Sequence, residues 1–113
     1  MTIIYHMADK DDWRAAVVAG IYLGTTDDKE DGFIHFSTKK TIAESAAKHR
    51  KGARNLVLLS VESDVLGEHV QWERARGGQL FPHLYGGLEP KYVVAAVDLP
   101  LGPDGVHIFP ELD

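Results

Sequence analysis

Cysteine is missing from all 113 residues of the chain. That absence excludes disulfide scaffolds, cysteine-ligated zinc or iron–sulfur centres and a cysteine nucleophile together. Basic residues are in deficit as well, with twelve Lys and Arg against seventeen Asp and Glu and a formal charge of −5. Such a chain has no basic field to hold a phosphate backbone, so nucleic acid is not an expected partner. No apolar run reaches membrane-spanning length, and Met1-Thr2-Ile3-Ile4-Tyr5-His6 lacks the basic region of a secretory leader, which gives a cytoplasmic reading with no membrane partner. The short signatures GxGxxG, P-loop, HExxH, GxSxG and HxH are absent too, against Rossmann folds, P-loop enzymes, zincins and serine hydrolases.

What is present is a chain that is 44% hydrophobic and 26% charged, long enough to bury a core without crosslinks, and read as one domain over residues 1–113. Ile3 to Met7 reads as a strand, with Ile4 and His6 on one face and His6 at its carboxyl end. Asp9 is a candidate N-cap for a helix carrying Trp13, Ala16 and Val17, which Gly20 closes. Residues 25–31 are polar and acidic and read as an exposed loop. Phe33-Ile34-His35-Phe36-Ser37 alternates with period two, so Phe33, His35 and Ser37 share a face.

A second helix follows from Thr38 or Thr41, where Thr41 and Glu44 have capping-box spacing, and Gly52 suits its exit. The run Leu56 to Val61 reads as a central buried strand and Tyr92 to Leu99 as another, with a further strand at Val70 to Glu73. In Phe81-Pro82-His83-Leu84-Tyr85-Gly86-Gly87, the proline and glycines suggest a stiff turn presenting His83 and Tyr85. Two helices in the first half and six or seven short strands, without βαβ alternation, make an α+β fold of compact mixed or antiparallel sheets.

Six histidines in a small acidic chain invite sorting, because imidazole exchanges protons near neutral pH. His49, His69 and His107 lie at a basic helix end, in a polar stretch and in the tail, and read as surface residues. His6 reads either as a ligand contact or as an imidazole donating to a neighbouring carbonyl. His35 beside Phe33 and Ser37 could line a pocket or be tied to backbone. His83 and Tyr85 either pre-organise contacts for a ligand or stabilise a tight loop. Glu73, next to Trp72, is either a desolvated carboxylate with raised pKa or one paired with Arg74 or Arg76. A metal could be held only by assembling His6, His35, His83 and Glu73 from separate elements, and no local spacing supports that; no metal is expected.

Taken in order, Ile4-Tyr5-His6, Trp13, Gly20-x-Tyr22, Gly32-Phe33-Ile34-His35-Phe36-Ser37, Val70-x-Trp72-Glu73 and Phe81-Pro82-His83-Leu84-Tyr85-Gly86 resemble the domain-of-unknown-function family 952 over residues 3–99. The resemblance assigns no activity of its own. It implies a distant similarity to the ADP-ribosyltransferase superfamily, whose compact α+β fold binds NAD in a cleft between two small sheets. On that similarity His6 would contact the nicotinamide-side ribose, His35 or Ser37 would hold the nicotinamide, and Glu73 or His83 would take the third position.

The expectation is therefore an ADP-ribosyltransferase-like cleft with His6, His35, Glu73 and His83 as catalytic candidates. Phe33, Ser37 and Tyr85 are the candidate ligand contacts, and NAD or a related nucleotide is the substrate, with no resident cofactor. The alternatives are a noncatalytic module for a metabolite or peptide and, more remotely, a metal-assisted hydrolase. A carboxylate converging on the histidines would favour catalysis.

Overall fold

The computed structural model describes residues 2–75 and 77–112. In chain order the elements are β1 (Ile3–Asp9), α1 (Lys10–Ala19), α2 (Thr26–Asp31), β2 (Ile34–His35), α3 (Ile42–His49), β3 (Leu56–Glu62), α4 (Ser63–Leu66), β4 (Val70–Arg74), β5 (Leu80–Leu84) and β6 (Val93–Asp98). The strands form two three-stranded sheets, ordered β1-β3-β6 and β2-β5-β4, and every pairing is antiparallel. This is the α+β architecture expected from the sequence.

β3 is central because its residues are apolar on both faces, and Leu56 through Val61 are all buried. Val57, Leu59 and Val61 face a core shared with Ile4, Tyr22, Ile34, Phe36, Leu84 and Leu88, so this cluster fills the space between the sheets. Leu56 and Leu58 face the other way, against Tyr5, Ile42 and Leu99 under α3. A side chain of this kind contributes about 1.5–3 kcal/mol when removed from water, which makes the double-faced strand the strongest single determinant of the fold. β6 is its edge partner and leaves Val94 and Val97 exposed.

The two sheets are joined at Tyr5 and Ser37, whose backbones exchange reciprocal N–H to carbonyl bonds of 2.8 Å. β1 thereby meets the chain just beyond β2, and His6 comes to stand beside His35. His6 lies in the middle of β1 rather than at its end, since pairing with β3 runs on to Asp9.

Several local expectations are corrected. Residues 25–31 are not an open loop: Thr25 caps α2, with its hydroxyl accepting from the Asp28 N–H (3.2 Å) and the Asp28 carboxylate accepting from the Thr25 N–H (2.8 Å). Gly32, at φ 86°, ends that helix in the left-handed region that glycine tolerates.

Residues 81–84 are not a turn but most of β5, the middle strand of its sheet. Proline is admitted there because Pro82 accepts from the Phe36 N–H (3.0 Å) and cannot return a donor, so the β2 ladder ends at that step. Asp9 has the backbone of an N-cap but caps nothing; its carboxylate accepts from Arg50 at 2.9 Å instead. Thr41 does not close a capping box, and its hydroxyl accepts from the Thr38 N–H, while α3 ends at Arg50 rather than Gly52. His107 is buried, with Nε2 2.9 Å from the Ala53 carbonyl, whereas His49 and His69 are exposed as expected.

Candidate functional site

A cleft of about 330 Å³ opens where the two sheets meet, within the size range of small-molecule sites. His6, His35, Ser37 and His83 line it, together with carboxylates of α2 and Arg50 at the end of α3.

Asp28 organises one wall. It is 3% exposed, and its carboxylate accepts from the Thr25 N–H, from the His35 N–H (3.1 Å) and from His35 Nδ1 (2.5 Å). Burial alone would raise its pKa, but the hydrogen bonds from His35, the nearby His6 and the Thr25 amide outweigh it and hold the carboxyl below its usual range. The same hydrogen bond, opposed by partial burial and reinforced by the charges of Asp28, Asp31 and Asp27, raises the His35 pKa. The outer nitrogen of His35 lies 3.1 Å from Asp31. His35 is thus favoured as an imidazolium between an inner and an outer carboxylate.

His6 is set the opposite way. It is 4% exposed, and burial lowers its pKa despite Asp28 nearby. In the neutral ring Nδ1–H donates to the His35 carbonyl (2.6 Å), which leaves Nε2 to accept from the Tyr22 hydroxyl (2.7 Å). Burial and the neighbouring Asp28 in turn push the Tyr22 hydroxyl far up, so it stays a donor. Both ring nitrogens of His6 are therefore engaged, and the carbonyl-donating reading of the sequence is the one the fold adopts. The ring buttresses the site from below, packed at 5.3 Å from Tyr22 and 5.5 Å from Phe36.

His83 forms the facing wall. Its Nδ1 lies 2.8 Å from Glu73 Oε1, and the Tyr85 hydroxyl donates to the same oxygen at 2.7 Å. These two bonds, Tyr85 first and His83 second, lower the pKa of Glu73, against the raised value that its neighbour Trp72 suggested. Glu73 does not pair with Arg74, whose guanidinium donates to the Gly78 carbonyl (2.7 Å); Arg76 lies outside the described residues. Phe33 stacks on the His83 ring at 4.1 Å and 20°. The His35 and His83 rings stand 5.4 Å apart, edge to face.

The structure thus brings His6, His35, Ser37 and His83 to one cleft. Ser37 donates to the Ser45 hydroxyl at 3.0 Å. Phe33, Glu73 and Tyr85 sit behind His83 and do not line the cavity. Asp28, Asp31 and Tyr22 are the site residues that sequence reasoning missed. The Thr25-x-x-Asp28 spacing followed by Gly32 was the available signal for the first of them. No group of three or more metal-ligating side chains is found among the described residues.

Residues 7–96 match the model of a family described as a protein of unknown function, DUF952. The chain belongs to the DUF952 family. Its fold is that of protein CC0527 from Caulobacter crescentus. The crystal structure of CC0527 matches with a TM-score of 0.91 and 45% identity, over 95% of this chain and 94% of that one. The solution NMR structure of CC0527 matches with a TM-score of 0.83 and 46% identity, over 94% and 91%. No curated protein matches. No helix among the described residues is long and apolar enough to cross a membrane.

Proposed function

We propose that the cleft of this DUF952 protein is the active site of a transferase acting on a nucleotide of the NAD class, as the ADP-ribosyltransferase resemblance implies. The observation that supports it is the pair of rings His35 and His83, 5.4 Å apart. One is favoured as a cation by two carboxylates, and the other is anchored at Nδ1 with Nε2 in no described hydrogen bond.

In the reaction the bond from the ribose anomeric carbon to nicotinamide breaks and nicotinamide departs with the electron pair as a neutral ring. The acceptor's nucleophilic atom bonds to that carbon, and its proton passes to His83 Nε2. Glu73 touches no substrate; it holds His83 in the tautomer that leaves Nε2 basic and balances the imidazolium as it forms. Convergence of Asp28 with His6 and His35 favours this over a noncatalytic binding module.

The test is chromatographic detection of nicotinamide released from NAD, together with an NMR titration of the imidazole signals with NAD. Saturable shifts at His35 and His83 and steady release are expected, with release reduced about 100-fold or more in His83→Gln. Release undiminished in that variant refutes the base role. Saturable binding without release assigns the cleft to the binding-module class, and neither response removes the NAD reading.

A further inference from the structure

With β1 and the end of β2 fastened to each other, the outer edges of the two sheets are β6 and β4. An unpaired edge strand offers its backbone to another chain, and charged side chains are the usual protection. β4 has that protection in Glu73 and Arg74. β6, Val-Val-Ala-Ala-Val-Asp, carries a single charge, and Asp98 is already paired with Lys10 of its own chain at 2.8 Å. In a chain of formal charge −5, whose copies repel one another at long range, this edge is locally neutral.

The direction of its backbone groups follows from one bond. The Leu99 N–H donates to the Leu56 carbonyl at 3.0 Å, and because antiparallel residues alternate, Val97 and Ala95 also turn their amides toward β3. Ala96 and Asp98 therefore point theirs outward, where no backbone group among the described residues bonds to them. The open stretch is bounded on both sides. At Pro100 the carbonyl accepts from the Ile108 N–H (2.8 Å), so the tail takes over the edge there. At the other end Ser60 pairs with Ala95 and Val61 with Val93, which makes Val94 a bulge that turns the strand aside.

We infer that β6 is the contact between two copies of this chain, paired antiparallel about a two-fold axis at Val97, so that two three-stranded sheets join into one. In that register Ala96 of each copy exchanges its outward backbone bonds with Asp98 of the other, and the two Val97 side chains meet at the axis. Asp98 stands across from an alanine and not from a second carboxylate. Val94 falls opposite Pro100 of the second copy, whose outer side is occupied by Ile108. The bulge makes room for it there, and two apolar side chains that are 64% and 54% exposed in the single chain cover each other. The inference does not depend on the transferase reading. So short a pairing makes a weak dimer, with Kd about 10–1000 μM.

Sedimentation equilibrium of the whole chain tests it, with the mass expected to rise from 12.5 kDa toward twice that value as the concentration climbs to about 1 mM. Val97→Lys, which sets two ammonium groups against each other at the axis, should weaken association about tenfold or more and leave the circular dichroism spectrum unchanged. Because the chain has no cysteine of its own, Val97→Cys reports the register directly. Non-hydrogen-bonded antiparallel partners stand about 4.5 Å apart at Cα, which a disulfide spans, so mild oxidation should crosslink two copies. Val18→Cys, at an 89% exposed position on α1, measures random collision and should crosslink far more slowly. A mass of 12.5 kDa at every concentration overturns the inference and leaves the edge to a strand of a different protein. A dimer that survives Val97→Lys, or a Val97→Cys protein that crosslinks no faster than the Val18→Cys control, puts the contact elsewhere and overturns it as well.

Discussion

Substituting Asp28 by Asn is the sharpest perturbation of this site, because the side chain keeps its shape and loses only its charge and one acceptor atom. Three donors converge on the carboxylate: the Thr25 amide on Oδ2, and the His35 amide and ring on Oδ1. Whichever way the new amide is turned, its NH2 group faces at least one of them, leaving a buried donor unpaired at a cost of about 1–3 kcal/mol. Loss of the ion pair adds to this. Breaking a buried pair costs about 3–5 kcal/mol, but the His35 side chain is 41% exposed, and much of that figure is returned by water. The total worked out this way is roughly 2–4 kcal/mol, or a fall of roughly 8–16 °C in Tm for a domain this size.

Circular dichroism melts near pH 6.5 would read the loss directly. A double-mutant cycle with His35→Gln should give a coupling of about 1 kcal/mol or more, because the two side chains share one bond. NMR titration of Asp28→Asn should show the His35 pKa falling. A melt displaced by less than about 2 °C, or single effects that add within about 0.5 kcal/mol, would refute the claim that Asp28 organises the wall.

The protonation pattern fixes a pH profile. His35 has its pKa raised by folding, so its contribution is complete below its unfolded value of 6.5 and is lost as pH rises through the folded value. His6 has its pKa lowered by burial, so stability falls as pH drops below 6.5 toward its folded value. Urea midpoints should therefore peak close to pH 6.5; a profile rising steadily from about pH 5 to 8 would contradict the His35 assignment, and one falling steadily over that range would contradict the His6 assignment. Asp28 contributes above 3.8, and that contribution drains as pH falls through its lower folded value, which proton release on refolding in acid would detect.

Tyr22→Phe should cost about 1–2 kcal/mol by leaving His6 Nε2 without its donor, measurable by urea unfolding. The nitrogen shifts of His6 should change with it, and identical His6 spectra would disprove the bond. Gly24→Ala should cost more than about 2 kcal/mol, since φ there is 95° and the added methyl would meet Asp28 Cβ and Oδ2 at 2.7 Å. A fully stable alanine variant would mean that Asp28 is not held as described.

Much of the fold was legible where one physical signal dominated. The unbroken apolar run of Leu56 to Val61 could only be a strand covered on both sides, and it became the centre of its sheet. The three informative histidines were separable by their apolar or glycine-flanked settings, and they do meet at one cleft. Asp28 was hidden because its segment, Thr-Asp-Asp-Lys-Glu-Asp, reads as solvent-exposed by composition. Its burial is decided by one residue's hydrogen bonds, which average polarity does not reveal. In the Phe81 to Gly87 segment, local proline and glycine signals outweighed a strand whose pairing depends on distant partners, Ile34-His35 on one side and Val70 to Arg74 on the other. His107 is buried by packing of the tail near Ala53, a contact between residues far apart in the chain that leaves no periodic mark.

The reciprocal bonds between Tyr5 and Ser37 do more than fasten one sheet to the other. Both residues line the cleft, and each is the immediate neighbour of a residue that shapes it, His6 on one side and Phe36 on the other. Any widening of the mouth must stretch this pair of bonds before it disturbs either ladder. The two amide hydrogens are thus the place to follow this seam by hydrogen exchange, since both are held in 2.8 Å bonds that run from one sheet to the other.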